Sequence, residues 1–158
     1  MNEEITKSAI IKYLEEFHSK RDYFECHEIL EHVWQQDKIG SRKVYLAALI
    51  QISVAMYHYR RSNFVGATKL FIMAKEKVYN DMYEFNKVGF DADKLIHLIN
   101  SILLQLKNKV PYTSQSIPMQ PNLLNEYIAY CEKNDINPFK TSDISNEYLV
   151  NRHEQRFR

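Results

Sequence analysis

Apolar positions in this chain recur every three to four residues within separate stretches, the mark of amphipathic helices rather than strands. Ile10, Ile11, Leu14 and Phe17 line one side of a first helix over residues 3–18. A polar turn, SKRD, comes next, and Asp22 is a good N-cap for a second helix ending near Gln36, with Gly40 in the loop after it. A third helix runs from just after Ser41 to about Arg61. Asn63 can cap a fourth that extends towards Asn80, and a polar stretch containing Gly89 comes after it. Asp91 can cap a fifth that stops before Pro111, and residues 123–133 read as a sixth, with Leu123, Leu124, Tyr127, Ile128 and Cys131 in one stripe. The final fourteen residues, 145–158, add at most a short amphipathic turn or two.

The third helix differs from the others. Between Tyr45 and Tyr59 only Gln51, Ser53 and His58 interrupt an apolar and aromatic run, and a helix apolar on all sides is a central, buried one. Gln51 and His58 are seven residues apart and share a face with the small residues Ala47, Ala55 and Ser62. Buried polar groups left unmatched cost about 1–3 kcal/mol each. The nearest acceptors in sequence are Glu28 and Glu31 on the second helix, so the two polar faces are expected to meet. A weak internal repeat supports a paired arrangement. FHSKRDYFECHEIL resembles YHYRRSNFVGATKL at an offset of 40, aligning His18 with His58, Arg21 with Arg61, Phe24 with Phe64 and Leu30 with Leu70. Each copy is a helix, a tight polar turn and a second helix, as in tetratricopeptide-like hairpins, without a clean 34-residue register.

These patterns predict an all-α fold: an irregular bundle of about five to six helices built on two antiparallel helical hairpins, with a central buried helix near 42–61. All four prolines, Pro111, Pro118, Pro121 and Pro138, lie after residue 110. Proline interrupts helices, so residues 1–110 are expected to form the bundle domain and 111–158 a C-terminal helical appendage packed on it. A chain ended at Lys109 should then stay helical.

Charge refines the picture. Residues 1–40 carry 5 Lys/Arg against 9 Asp/Glu, a net −4; residues 41–110 carry 11 against 5, a net +6; residues 111–158 carry 5 against 6, a net −1. The acidic first quarter and the basic middle are expected to face each other. The lysines are scattered along separate helices, and Glu154 dilutes Arg152, Arg156 and Arg158, which argues against a nucleic-acid surface. No uncharged apolar run reaches the ~20 residues of a membrane span, and MNEEITKS is neither a signal peptide nor an anchor, so a cytoplasmic location is expected. Cys26 and Cys131 lack metal-type spacing, and Cys26, beside Ile29, Leu30 and Val33, reads as a buried, inert thiol.

The candidate chemistry sits in YFECHEILEHVW, residues 23–34. At about 100° per residue, His27, Glu28 and Glu31 fall on one helical patch, with Phe24 at one end and Trp34 near the other. The motif is HExxE. Without a second histidine it lacks the paired imidazoles that grip zinc in HExxH, and Glu15-x-x-His18 ends at a turn rather than continuing a four-helix carboxylate site. A hard cation held by Glu28, Glu31 and a histidine remains open, as does acid–base work by His27 or His58 beside a carboxylate. A structural hydrogen-bond network is the competing reading. Cys26 projects about 100° away from His27, against a Cys–His dyad. No phosphate-binding glycine loop or dinucleotide fingerprint is present. Arg61, beyond His58, is either helix-end charge or an anion contact at the mouth of the cluster.

YFECHEILEHVW followed by LAALIQISVAMYHYRRSNFVGATKL resembles the family catalogued as domain of unknown function 309, whose signatures read F-E-x-H-E-x-L-E-x-x-W and G-L-I-Q-x-A-x-A-x-x-H-x-x-R-G-N-x-x-G-A. The match covers about residues 13–75. It departs at Ala48 and Ser62, where the family pattern favours Gly, making the turn at Ser62 less permissive. The resemblance implies a compact all-α fold and brings no activity with it. The leading expectation is a small binding or interaction module with a polar groove lined by His27, Glu28, Glu31, Trp34, Gln51, His58 and Arg61. The alternative is a metal-assisted or acid–base, hydrolase-like enzyme using the same cluster. No cofactor and no tightly held transition metal is expected. The partner is an unidentified protein or small molecule, not a membrane, and a homo-oligomer is left open.

Overall fold

The computed structural model describes residues 3–142. Among them the chain forms seven α-helices: α1 (Glu3–Glu15), α2 (Tyr23–Trp34), α3 (Val44–Arg60), α4 (Phe64–Asn80), α5 (Met82–Val88), α6 (Ala92–Lys107) and α7 (Pro121–Lys133). The expected tail turn over 145–158 lies outside the described residues. The three caps read from sequence are in place: side-chain oxygens of Asp22, Asn63 and Asp91 accept from the backbone N–H groups of Glu25, Gly66 and Lys94 at 3.0, 3.0 and 3.1 Å. Each satisfies a donor that a helix N-terminus leaves open.

α1 and α2 form one hairpin, and α3 and α4 a second; α2 packs on α3, α4 on α6, and α7 on α1. Eleven of the 17 residues of α3 are buried, which makes it the central helix its apolar sequence predicts. Two elements depart from the sequence reading. α1 does not run smoothly to His18 but ends in a π-helical turn, Glu16–Lys20. The stretch before Gly89 holds the extra helix α5, seven residues anchored by the fully buried Phe85. Its pattern is too short to show a helical period.

Several helix ends share one device. After α3, the N–H groups of Ser62 and Asn63 return to the carbonyls of Tyr59 and His58 at 2.9 and 2.8 Å, with Ser62 at φ 64°. This is a Schellman ending. Left-handed residues also close the π turn (Arg21), α6 (Lys109) and α7 (Asp135). Only α5 ends on glycine: Gly89, at φ 122°, has Leu123 Cβ 2.6 Å from where its own Cβ would stand. α7 therefore packs directly against that turn.

Residues 111–120 run extended along the body. Phe90 and Met119 form an isolated antiparallel bridge, framed by Asp91 N–H to Pro118 O at 3.1 Å and Gln120 N–H to Gly89 O at 2.8 Å. Ile117, Leu123, Tyr127 and Cys131 are buried in the same core as Tyr13, Phe17, Phe71, Phe85 and Phe90. The C-terminal segment thus completes one hydrophobic core.

Candidate functional site

The Asp22 cap fixes where α2 begins, and its 3.6-residue period then brings His27, Glu28 and Glu31 together. His27 Nε2 lies 2.8 Å from Glu31 Oε2, and His27 Nδ1 lies 3.5 Å from Glu28 Oε1. One ligand atom from each residue lies within 4.8 Å of the others. The side chains are 27%, 38% and 36% exposed, open enough for a ligand to reach. The Phe24 ring meets the imidazole edge-on at 6.1 Å, and Gln35 Nε2 donates to Glu31 Oε1 at 3.3 Å. An imidazole between two carboxylates can pass a proton to either side, or swing away and leave both for a cation.

The remaining predicted residues are half-buried on the same pair of helices or at their ends. The guanidinium of Arg42 lies 4.6 Å over the Trp34 ring, and that of Arg61 5.6 Å over Tyr57. His58 Nδ1 is 3.2 Å from Asn63 Nδ2, an amide that can only donate, so the ring nitrogen accepts and the His58 proton sits on Nε2. The expected bonding of Gln51 to the carboxylates of α2 is not found. Gln51 Oε1 is buried without a hydrogen-bond partner among the described residues. Glu31 instead finds His27 and Gln35 one turn away on its own helix. A local pair that is already satisfied has no need to reach across to α3.

The most constrained ionisable groups lie elsewhere, and the sequence marks them only faintly. His18 is fully buried, ringed by Phe17, Tyr127 and Phe139. The N–H of Ile117 donates to its Nε2 at 2.9 Å, so Nδ1 carries the proton and donates to Leu14 O at 2.9 Å. Burial lowers its pKa to about 3. Arg21 Nε donates to Lys140 O at 2.7 Å, and its Nη1 donates to Gln115 O. Arg60, 4.5 Å over the Tyr23 ring, donates from Nη1 to Arg21 O at 2.7 Å and to Ser142 Oγ at 2.9 Å. Glu15 is buried between Lys12, Lys20 and the Tyr130 hydroxyl. Burial pushes its carboxyl up, but the hydrogen bonds from Tyr130 and Lys20 outweigh that and hold it below its ordinary range. The available signal is the 40-residue repeat, which marks His18 and Arg21. Arg60 closes an otherwise apolar helix and, like Arg61, reads in sequence as helix-end charge or an anion contact. All these groups bind the molecule's own backbone or side chains.

Cys26 is fully buried, and burial raises its thiol well above the ordinary value. Cys26 is buried as expected, and its thiol donates to the Tyr13 carbonyl of α1 at 3.6 Å. Among the described residues no helix is long and apolar enough to cross a membrane.

Two helical hairpins carrying an HExxE face on the second helix define a small all-helical protein of one recognisable class. The chain belongs to the family described as Domain of unknown function (DUF309), which matches residues 10–70, from within α1 into α4, and so takes in every candidate residue above. It is similar to the "Uncharacterized protein YpuF" of Bacillus subtilis (strain 168), with 36% identity over 151 residues, covering 95% of this chain and 87% of that protein. No solved structure matches.

Proposed function

We propose that the protein is a small cytoplasmic binding module whose α2–α3 face takes a ligand bearing a cationic or hydrogen-bond-donating group. The observation that carries this is His27 held between Glu28 and Glu31 on an accessible patch. Two carboxylates beside one imidazole favour a positive or donating partner. Gln51 adds a buried acceptor on α3 that nothing in the described chain satisfies, and Trp34 offers an aromatic flank.

A second reading, a metal-assisted or acid–base enzyme, is favoured by one further observation. Ligand atoms of His27, Glu28 and Glu31 lie within 4.8 Å of one another, and three protein ligands with an open position are what a catalytic metal uses. Melting curves on the full chain separate the two, with polyamines, lysine- and arginine-containing peptides, and divalent Mg, Mn and Zn as probes. The binding-module reading expects organic cations to raise the melting temperature of the wild type and not of Glu28→Gln/Glu31→Gln. Near-stoichiometric metal in protein purified without additions, with a large drop in melting temperature on chelation, would transfer the site to the enzyme reading.

A further inference from the structure

α4 has two opposite seams. Ala67, Phe71, Ala74 and Val78 are fully buried against the body. Two positions away, roughly 200° round the helix, Val65, Lys69, Ile72, Glu76 and Tyr79 repeat with alternating spacings of four and three. That is the seam along which one helix packs on another in a coiled coil. Nothing in the described chain covers it. Val65 is 80% exposed, Ile72 54%, Tyr79 69%, and Met73 beside them 39%. Isolated exposed apolar residues need no explanation, but an aligned row of them marks an interaction site.

The charges on this seam say what covers it. Lys69 and Glu76 are exposed and form no ion pair among the described residues. They stand at equal distances either side of the midpoint between Ile72 and Met73. A two-fold axis through that midpoint sets a second α4 antiparallel to the first. Lys69 of each copy then faces Glu76 of the other, Ile72 meets Met73, and Tyr79 lies over Gly66 and Val65. A two-fold interface requires a patch complementary to itself, and this row meets the requirement in charge. A parallel pairing would set Lys69 against Lys69 and Glu76 against Glu76.

We propose that the outer seam of α4 docks on the same seam of a second copy of this chain, antiparallel about a two-fold axis at Ile72/Met73. A helix of 17 residues is about 25 Å long. One such pair falls below the standard interface area of about 1,600 Å², so the dimer forms in a concentration-dependent way.

Sedimentation velocity of the full chain across a wide concentration range tests this, with circular dichroism to confirm folding of each variant. The wild type should self-associate. Ile72→Asp, Lys69→Glu and Glu76→Lys should each weaken dimerisation by about tenfold or more. Mixing Lys69→Glu with Glu76→Lys should restore association, because both cross-pairs are then opposite in sign. A wild type that stays monomeric throughout would leave the seam to a different protein and overturn the proposal. So would a dimer indifferent to all three substitutions, or a mixture no stronger than its parts.

Discussion

His18 shows how far a single residue can be committed by its surroundings. Its ring is packed among three aromatic rings and bonded at both nitrogens, an arrangement that requires the neutral form. Burial has lowered its pKa to about 3 from an ordinary 6.5. The unfolded chain therefore binds a proton here at higher pH than the folded chain does. The stability contributed by neutral His18 is whole above about pH 6.5 and is lost progressively as pH falls towards 3. His18→Leu should be less stable than wild type at pH 7, since it strands the Ile117 N–H. Its unfolding free energy should nonetheless fall more gently between pH 6.5 and 4, as read by urea titration at each pH. Equal slopes for the two proteins would show that other groups carry the acid sensitivity. Nothing in the sequence around His18 announces this, because its partner Ile117 lies 99 residues away. By contrast, the His27, Glu28 and Glu31 contacts are legible, since a helix fixes neighbours three and four residues apart.

At the level of elements, caps and turns are the most readable features. Asp22, Asn63 and Asp91 each bond within three residues, so local sequence suffices to place them. α5 is hidden for the opposite reason: a seven-residue helix held by one buried phenylalanine is defined by what packs on it. The α3–α4 turn holds a side-chain-bearing residue in a conformation that suits glycine. Ser62 sits exposed at φ 64°, a conformation that costs a side-chain-bearing residue about 1–2 kcal/mol. Ser62→Gly removes that strain but adds about 0.5–1 kcal/mol of unfolded-chain freedom. The expected net is a stabilisation of about 0.5 kcal/mol, seen as a higher denaturant midpoint at unchanged slope. A lower midpoint would assign the serine hydroxyl a stabilising contact.

Across the whole molecule, proline placement says nothing about how far the body depends on the residues after 110. Arg21, Arg60, His18 and Tyr23 all bond to residues 112–142. Ile117, Leu123 and Tyr127 fill the common core, and each large apolar side chain withdrawn costs about 1.5–3 kcal/mol. Such a sum approaches the roughly 5–15 kcal/mol total of an ordinary domain. A chain ending at Lys109 is therefore expected to keep helical far-ultraviolet dichroism but lose its cooperative melting transition. A sharp transition close to that of the intact protein would establish residues 1–109 as a domain in their own right.

The π turn at Glu16–Lys20 has a consequence for how this chain can change its length. A π turn accommodates one residue more than an α turn of comparable rise. Ser19 could be deleted and the segment would close into regular helix without a gap. Because the wide turn holds that extra residue, one such deletion would leave Arg21 and α2 close to their present facing, with Arg21 still within reach of the carbonyls of Gln115 and Lys140. The first hairpin can therefore shed one residue at this corner without turning its second helix, whereas a second deletion would turn α2 by about 100° relative to α1 and draw Arg21 away from residues 115 and 140.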